Sequence, residues 1–387
     1  MKKWIAFLLA LAMVACLFAG CGQTDDTAQT PAADTPAADA PEEEAPAPEE
    51  VDYSTVKIGM LLSNTVTDGG WNQAMYDSMV KTVKQLGMSE DQLIPIESLP
   101  EGGAEGDSTI VQLIDEGCNL IVGASSGFVT NINAAYATYP DVYFAQFEGA
   151  SGDNYCPFSC YDIEALFMCG YAAALMSEVN ELGYVAPNPQ TSVVRGINAF
   201  AAGAKAANPD ATVQVVWVNS WYDPAGEKEC ANTLLDTGIQ CLGYNGSTTS
   251  VCQAAKEAGG YCTGYNIDMH DYAPEAVLTS FVWDWSPQFT QIITQVATDT
   301  WTSDLKIANM ADGSATLAPW NTDIMPEDVV AQCEQMYQSI IDGQTVVLAG
   351  PLYDQEGKEL LAEGETFTID ELINCYWFLD NVLGDLP

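Results

Sequence analysis

The chain has 387 residues, of which 54 are acidic and 11 basic, giving a formal net charge of −43 at pH 7. So few Lys and Arg exclude a nucleic-acid partner, whose phosphates need cations to displace their counterions, and they argue against an anionic ligand held by charge alone. Such a surface is soluble and self-repelling, and by itself it names no substrate.

The first element is an export signal. Lys2 and Lys3 precede an apolar run from Trp4 to Phe18. That run is short for a membrane span and suits a signal's hydrophobic region. Its end, Phe18-Ala19-Gly20-Cys21, resembles a bacterial lipobox, with Phe where Leu is usual. The resemblance implies a lipoprotein signal peptide over residues 1–20. Cys21 would be lipidated and would anchor the mature chain on the extracytoplasmic face of the cell membrane. Residues 21–50 are dominated by Ala, Pro, Thr, Asp and Glu and contain no basic residue. They lack the apolar content of a core and read as a disordered acidic linker.

From Val51 the composition turns globular, and the remaining length exceeds what one compact core usually organises, so two lobes are expected. Val56–Leu62 reads as a buried strand. Trp71, Met75, Met79, Val83 and Leu86 then fall at helical spacing, closed by Gly87. Leu93–Glu97 (strand), Asp107–Gly117 (helix), Asn119–Ser125 (strand), Phe128–Pro140 (helix) and Val142–Gly149 (strand) follow. The rhythm restarts after Asp162 with helices over 164–179 and 192–209. Strands over 211–220, 239–245 and 260–268 then alternate with helices over 223–238 and 250–259. Leu278–Trp285, which carries the crossing at Trp283-Asp284-Trp285, leads to a helix near 287–301. Alternation of this kind means α/β lobes, each a mostly parallel sheet with helices on both faces. Lobe 1 is expected over 51–160, completed by about 283–315. Lobe 2 is expected over 161–282, completed by part of 316–387.

Ligands of such sheets bind at the carboxyl ends of the strands. The expected rims carry Ser63 to Gln73, Gly123 to Phe128, Asn219 to Ala225, Tyr244-Asn245, Gly264 to Met269 and Trp283-Asp284-Trp285. Aromatics, hydroxyls, amides and carboxylates gather there. That inventory suits a flat, uncharged ligand with polar edges, stacked on rings and read by amides and carboxylates.

Gly123-Ala124-Ser125-Ser126-Gly127 matches G-x-S-x-G, the turn that presents a hydrolase nucleophile. The chain's one histidine, His270, belongs to the second half, so a serine hydrolase is a remote alternative and no catalytic residue is expected. Of the twelve cysteines, Cys16 would leave with the signal and Cys21 would carry lipid. The ten that remain permit disulfides outside the cytoplasm, and at least one is expected. Cys156-x3-Cys160 lacks the companions of a zinc site, so neither metal nor cofactor is expected.

The segments Asp68–Gln73 (DGGWNQ), Asn119–Gly123, Arg195–Ala211, Asn219–Glu227 and Gly264–Ser280, in that order and spacing, resemble the basic membrane protein family. These are substrate-binding lipoproteins, including purine nucleoside receptors, that serve ABC importers. The resemblance runs from about Val56 to the C-terminus. It implies a type I periplasmic-binding-protein clamshell of two lobes closing on a purine, acting with ABC permease and ATPase subunits, as a monomer. Within DGGWNQ it implies that Trp71 stacks on the base, with Asp68 and Asn72 beside it. Trp221 stacks from the other lobe, Ser125 and Phe128 approach from the first, and Asn266 or Asp268 grips an edge. Asn266 and Trp283 stand where nucleoside receptors commonly have Asp and Lys, which favours a free nucleobase over a nucleoside. A lipid-anchored receptor or sensor for another small ligand, riboflavin-like or sugar-like and not coupled to import, is the alternative.

Overall fold

A computed structural model describes residues 51–387. The signal peptide, Cys21 and the linker lie outside the described residues.

The first sheet is built from β1 (Ile58–Leu61), β2 (Leu93–Ile96), β3 (Leu120–Gly123), β4 (Tyr143–Phe147) and β5 (Tyr155–Cys160), interleaved with α1 (Trp71–Gln85), α2 (Gly103–Asp115) and α3 (Val129–Ala135). Every residue of β1 and β3 is buried. Continuous apolar runs of this kind are what a parallel strand covered on both faces requires. In α1 the spaced residues Met75, Met79 and Val83 turn inward as their periodicity demands.

The chain then passes through α4 (Ile163–Met176) into a second sheet. Its elements are β6 (Glu181–Ala186), α5 (Thr191–Ala207), β7 (Thr212–Trp217), α6 (Pro224–Leu235), β8 (Cys241–Tyr244), α7 (Ser250–Ala258), β9 (Tyr261–Gly264) and β10 (Val277–Trp283). After α8 (Ser286–Ala297), β11 (Lys306–Ala308) returns to the first sheet and β12 (Ala315–Leu317) to the second. Next come α9 (Glu327–Ile341), a small pair β13 (Leu352–Tyr353) and β14 (Glu359–Leu361), and α10 (Ile369–Ile373); β15 (Val382–Leu383) closes the second sheet's far edge. The strand orders are β11-β5-β4-β3-β1-β2 and β12-β10-β9-β8-β6-β7-β15. All pairings in the two sheets are parallel except β10 with β12.

Several expectations change. The helix read over 164–179 stops at Met176, and Glu181–Ala186 forms β6, inside the second sheet between β8 and β7. Tyr155–Cys160 forms β5, where no strand was expected. Leu278–Val282, given no element type, belongs to a strand, β10, nearly all buried between β9 and β12. The ten cysteines of the described residues are all free thiols, nine of them buried. The expected disulfide is therefore replaced by cysteines packing as small hydrophobes. Helices α4 and α5 meet closely enough that a Cβ on Gly170 or Gly203 would stand within 2 Å of the other helix's backbone carbonyl.

Candidate functional site

A cavity of about 550 Å³ opens where the carboxyl ends of strands from both sheets converge. Ser63 and Asn64 follow β1, Ser98 to Glu101 follow β2, Ser125 and Ser126 follow β3, and Glu148 follows β4. From the second sheet come Gln190 after β6, Trp221 and Tyr222 after β7, Asn245 and Ser247 after β8, Tyr265 and Asn266 after β9, and Trp283 at the end of β10. Parallel strands end together, so their following loops must share one rim, and here two rims face one cleft.

One wall is aromatic. The Trp71 ring lies edge-to-face with Phe147 (4.8 Å, 60°), Trp283 (5.7 Å, 83°) and Trp285 (5.7 Å, 72°). Its indole Nε1 donates to the Ala124 carbonyl at 2.8 Å. The ring is thereby held upright from several sides, and as a half-buried cleft residue it keeps surface for a ligand. Trp283 stacks on Trp285 at 5.0 Å and 21°, is only 7% exposed, and donates from Nε1 to Asn266 Oδ1 at 3.1 Å. Trp221 is 43% exposed at the lip of the cleft.

The polar residues divide into those already satisfied and those still open. Asp68 lines the cleft, yet its carboxylate accepts from the amides of Gly70 (2.9 Å), Asn72 (3.3 Å) and Gln73 (3.1 Å) and from Asn72 Nδ2 (2.9 Å). Asn72 Oδ1 accepts from the Ser63 amide at 3.0 Å. Asp68 and Asn72 therefore knot their own loop and set the start of α1. Ser125 donates its hydroxyl to Glu101 Oε1 and accepts from the Gly127 amide at 3.3 Å. Its turn is a braced rim loop, and His270 is not among the residues lining the cleft. Asn266 adopts a left-handed φ of +73°, which Asn tolerates better than most residues. Its Nδ2 donates to the Gly246 carbonyl at 3.1 Å while its Oδ1 holds Trp283.

Two expected site residues fall outside. Phe128 is fully buried beneath the rim, in the lobe-1 cluster with Phe144 and Tyr155. Its place next to the Ser125 turn is met by packing, not by the cleft. Asp268 is exposed and turned away, with its carboxylate accepting from the His270 amide at 2.9 Å to start a short turn. Asn266 is the member of that pair which reaches the cleft.

The structure adds residues that strand-end patterning missed. Arg195 of α5 and Asp162 at the start of α4 form a buried pair, with Arg195 Nε and Nη2 at 3.3 and 3.2 Å from Asp162 Oδ1. Arg195 is the one cation among the lining residues, against Asp68, Glu101, Glu148 and Asp162. Glu148 has a left-handed φ of +55° and no side-chain hydrogen bond within the protein. It is open to the cleft but crowded by protein, and this loss of bulk water pushes its carboxyl above the usual range, with Arg195 pulling it back. Its signal in the sequence was only its place at the end of the fourth strand. Among the described residues, no group of three or more His, Cys, Asp or Glu is arranged to hold a metal.

Comparison with known proteins adds independent findings. A sequence model of the family described as ABC transporter substrate-binding protein PnrA-like matches residues 55–348. A purine-binding protein of Brucella abortus (strain 2308) is 30% identical over 333 residues, covering 86% of this chain and 94% of its own. A Haloferax volcanii protein, provisionally named an ABC transporter glucose-binding protein, is 29% identical, covering 86% of this chain and 82% of its own. The fold matches a solved ABC transporter solute-binding protein from Conexibacter woesei with a TM-score of 0.62 at 22% identity, over 76% of this chain and 98% of that one.

Proposed function

The chain belongs to the PnrA-like family of ABC transporter substrate-binding proteins, and from that premise we propose that it captures a purine between its two lobes. The family's role is solute binding, not catalysis, and it implies a small-molecule ligand and permease and ATPase partners. The observation that carries the purine reading is the upright Trp71 ring, held by its neighbours and facing a cleft that also offers an open Glu148 carboxylate. A purine presents a flat face to the ring and N–H donors to the carboxylate. The Brucella relative's name supports the same class.

The free base is favoured over the nucleoside. Asn266 gives its Oδ1 to the Trp283 indole and its Nδ2 to the Gly246 carbonyl, and Trp283 gives its one donor to Asn266, so both are engaged away from ribose hydroxyls, and the indole occupies space beside the base wall. The protein acts as a monomer, tethered through lipid on Cys21 to the outer face of the cell membrane. A second reading is a sugar, supported by the Haloferax relative's name and by the acidic cleft, whose carboxylates suit hydroxyl donors.

Titration calorimetry with adenine, guanine, hypoxanthine, their nucleosides and glucose tests this. Binding of a base, tighter than its nucleoside and recovered unchanged by chromatography, is expected. Heat with glucose and none with any purine would replace the reading. Metabolic labelling with palmitate, lost in Cys21→Ser, tests the anchor.

A further inference from the structure

One contact between the two rims beside the cleft is backbone against backbone, and both of its sides are braced by a carboxylate. Gly70, at the start of α1, packs directly on the backbone of Ser247, in the loop after β8. A Cβ on Gly70 would stand 2.7 Å from the Ser247 carbonyl oxygen and 2.9 Å from its Cα. A Cβ on the neighbouring Gly69 would lie 3.7 Å from Thr249 Cγ2. The DGGWNQ stretch therefore needs a residue without a side chain at position 70 for the lobes to approach this far, since a backbone atom cannot swing away as a flexible side chain can.

On the lobe-1 side the brace is Asp68, with its four donors. On the lobe-2 side it is Glu227, in the first turn of α6 and 1% exposed. Glu227 Oε2 accepts from the Thr248 hydroxyl at 2.6 Å, and the carboxylate lies 2.6–2.7 Å from where a Cβ on Gly246 would stand. The same loop is tied by Tyr244 Oη donating to the Thr248 carbonyl at 3.1 Å and by Asn266 donating to the Gly246 carbonyl. Through Asn266 the loop is joined to Trp283 and the aromatic wall.

We propose that the Gly70–Ser247 contact is the latch that closes the cleft over its ligand, and that Glu227 is the positioning residue that sets lobe 2's half of it. The inference rests on the two-lobed binding reading given above. Glu227 touches no part of the cleft surface itself; it acts by fixing where Ser247 stands. Closure at this point excludes water from the side of the cleft between Asn72 and Asn245, and a ligand leaves only when the contact parts.

Two sets of measurements separate the latch from the ligand's identity. In the first, Gly69→Cys/Thr249→Cys is oxidised mildly and the cross-link is read by mass spectrometry, with no ligand needed. Nine of the ten native thiols of the described residues are buried, and the half-buried Cys230 is changed to Ser in this background. A cross-link within the monomer is expected; its absence, both alone and with adenine, would overturn the latch. In the second, adenine release is followed by stopped-flow tryptophan fluorescence. Gly70→Ala and Glu227→Ala should each speed release about tenfold or more, with association little changed. In the cross-linked background Glu227→Ala should no longer matter, whereas a merely structural role for Glu227 would persist there. Unchanged release in Gly70→Ala would overturn the proposal. If the wild-type protein binds no purine, the ligand reading fails and the cross-link alone decides the latch.

Discussion

Replacing Glu227 by Gln should flatten the pH dependence of folding stability between pH 5 and pH 8. Burial pushes the Glu227 carboxyl up to about 7, against an ordinary value of 4.5, because water can no longer solvate the charge; the Thr248 hydroxyl and the Ser247 and Thr248 amides recover only part of that loss. Asp223, at the start of the same helix, adds repulsion. The native state therefore holds this proton where the unfolded chain has released it. Stability falls as pH rises through the window from 4.5 to 7 and is level above it. The shift corresponds to about 3 kcal/mol in total, of which about 2.5 kcal/mol develops between pH 5 and pH 8. Gln cannot ionise. Its amide nitrogen at the position of Oε1, which now has no hydrogen-bond partner, adds an offset that does not change with pH. Urea unfolding in half-unit pH steps gives the two curves, and the readout is their difference in slope, which cancels the protein's many other carboxylates. Wild-type and Glu227→Gln curves that run parallel from pH 5 to pH 8 would refute the reasoning and mean that the carboxylate is solvated in the native state.

Trp221→Ala should weaken adenine binding by about 1–3 kcal/mol, the cost of one base–aromatic stack, without lowering the melting temperature of the empty protein, because the residue sits exposed at the lip and outside the core; an equal loss of stability would make it a packing residue. Trp283→Ala should cost about 3–5 kcal/mol of stability, measured by urea unfolding, since it empties a buried stack and strands Asn266 Oδ1; in the protein that remains folded, the preference for base over nucleoside should narrow. Asp268→Ala should leave adenine affinity within about twofold by calorimetry, because the side chain is exposed outside the cleft. Glu148→Gln should weaken adenine binding about tenfold by calorimetry, as expected when a charged acceptor is removed from a ligand hydrogen bond; an undiminished affinity would move the polar reader elsewhere.

The sequence by itself determined the architecture. Short apolar runs alternating with amphipathic helices permit little besides parallel sheets covered on both faces, and the spacing of Met75, Met79 and Val83 fixed the buried face of α1. It also placed Trp71, Asn72, Ser125, Trp221, Asn266 and Trp283 at the cleft, because parallel strands force the loops at their carboxyl ends onto one rim. What it could not fix is which way a rim residue turns. Phe128 and Asp268 lie within a few residues of true cleft residues, and a single turn sends one into the core and the other to the outer surface. Pattern reading also passed over β5 and β6, which neighbouring strands hold in place on both sides, and gave no element type to Leu278–Val282, most of β10, which pairs with β9 and β12. Arg195 and Asp162 are 33 residues apart and meet only because α4 and α5 cross on their glycines. Gly70 and Ser247 are farther apart still in the chain. Their contact, like the raised carboxyl of Glu227 behind it, exists only in the folded molecule, because burial and electrostatic environment are set by what packs around a group and not by its neighbours in sequence.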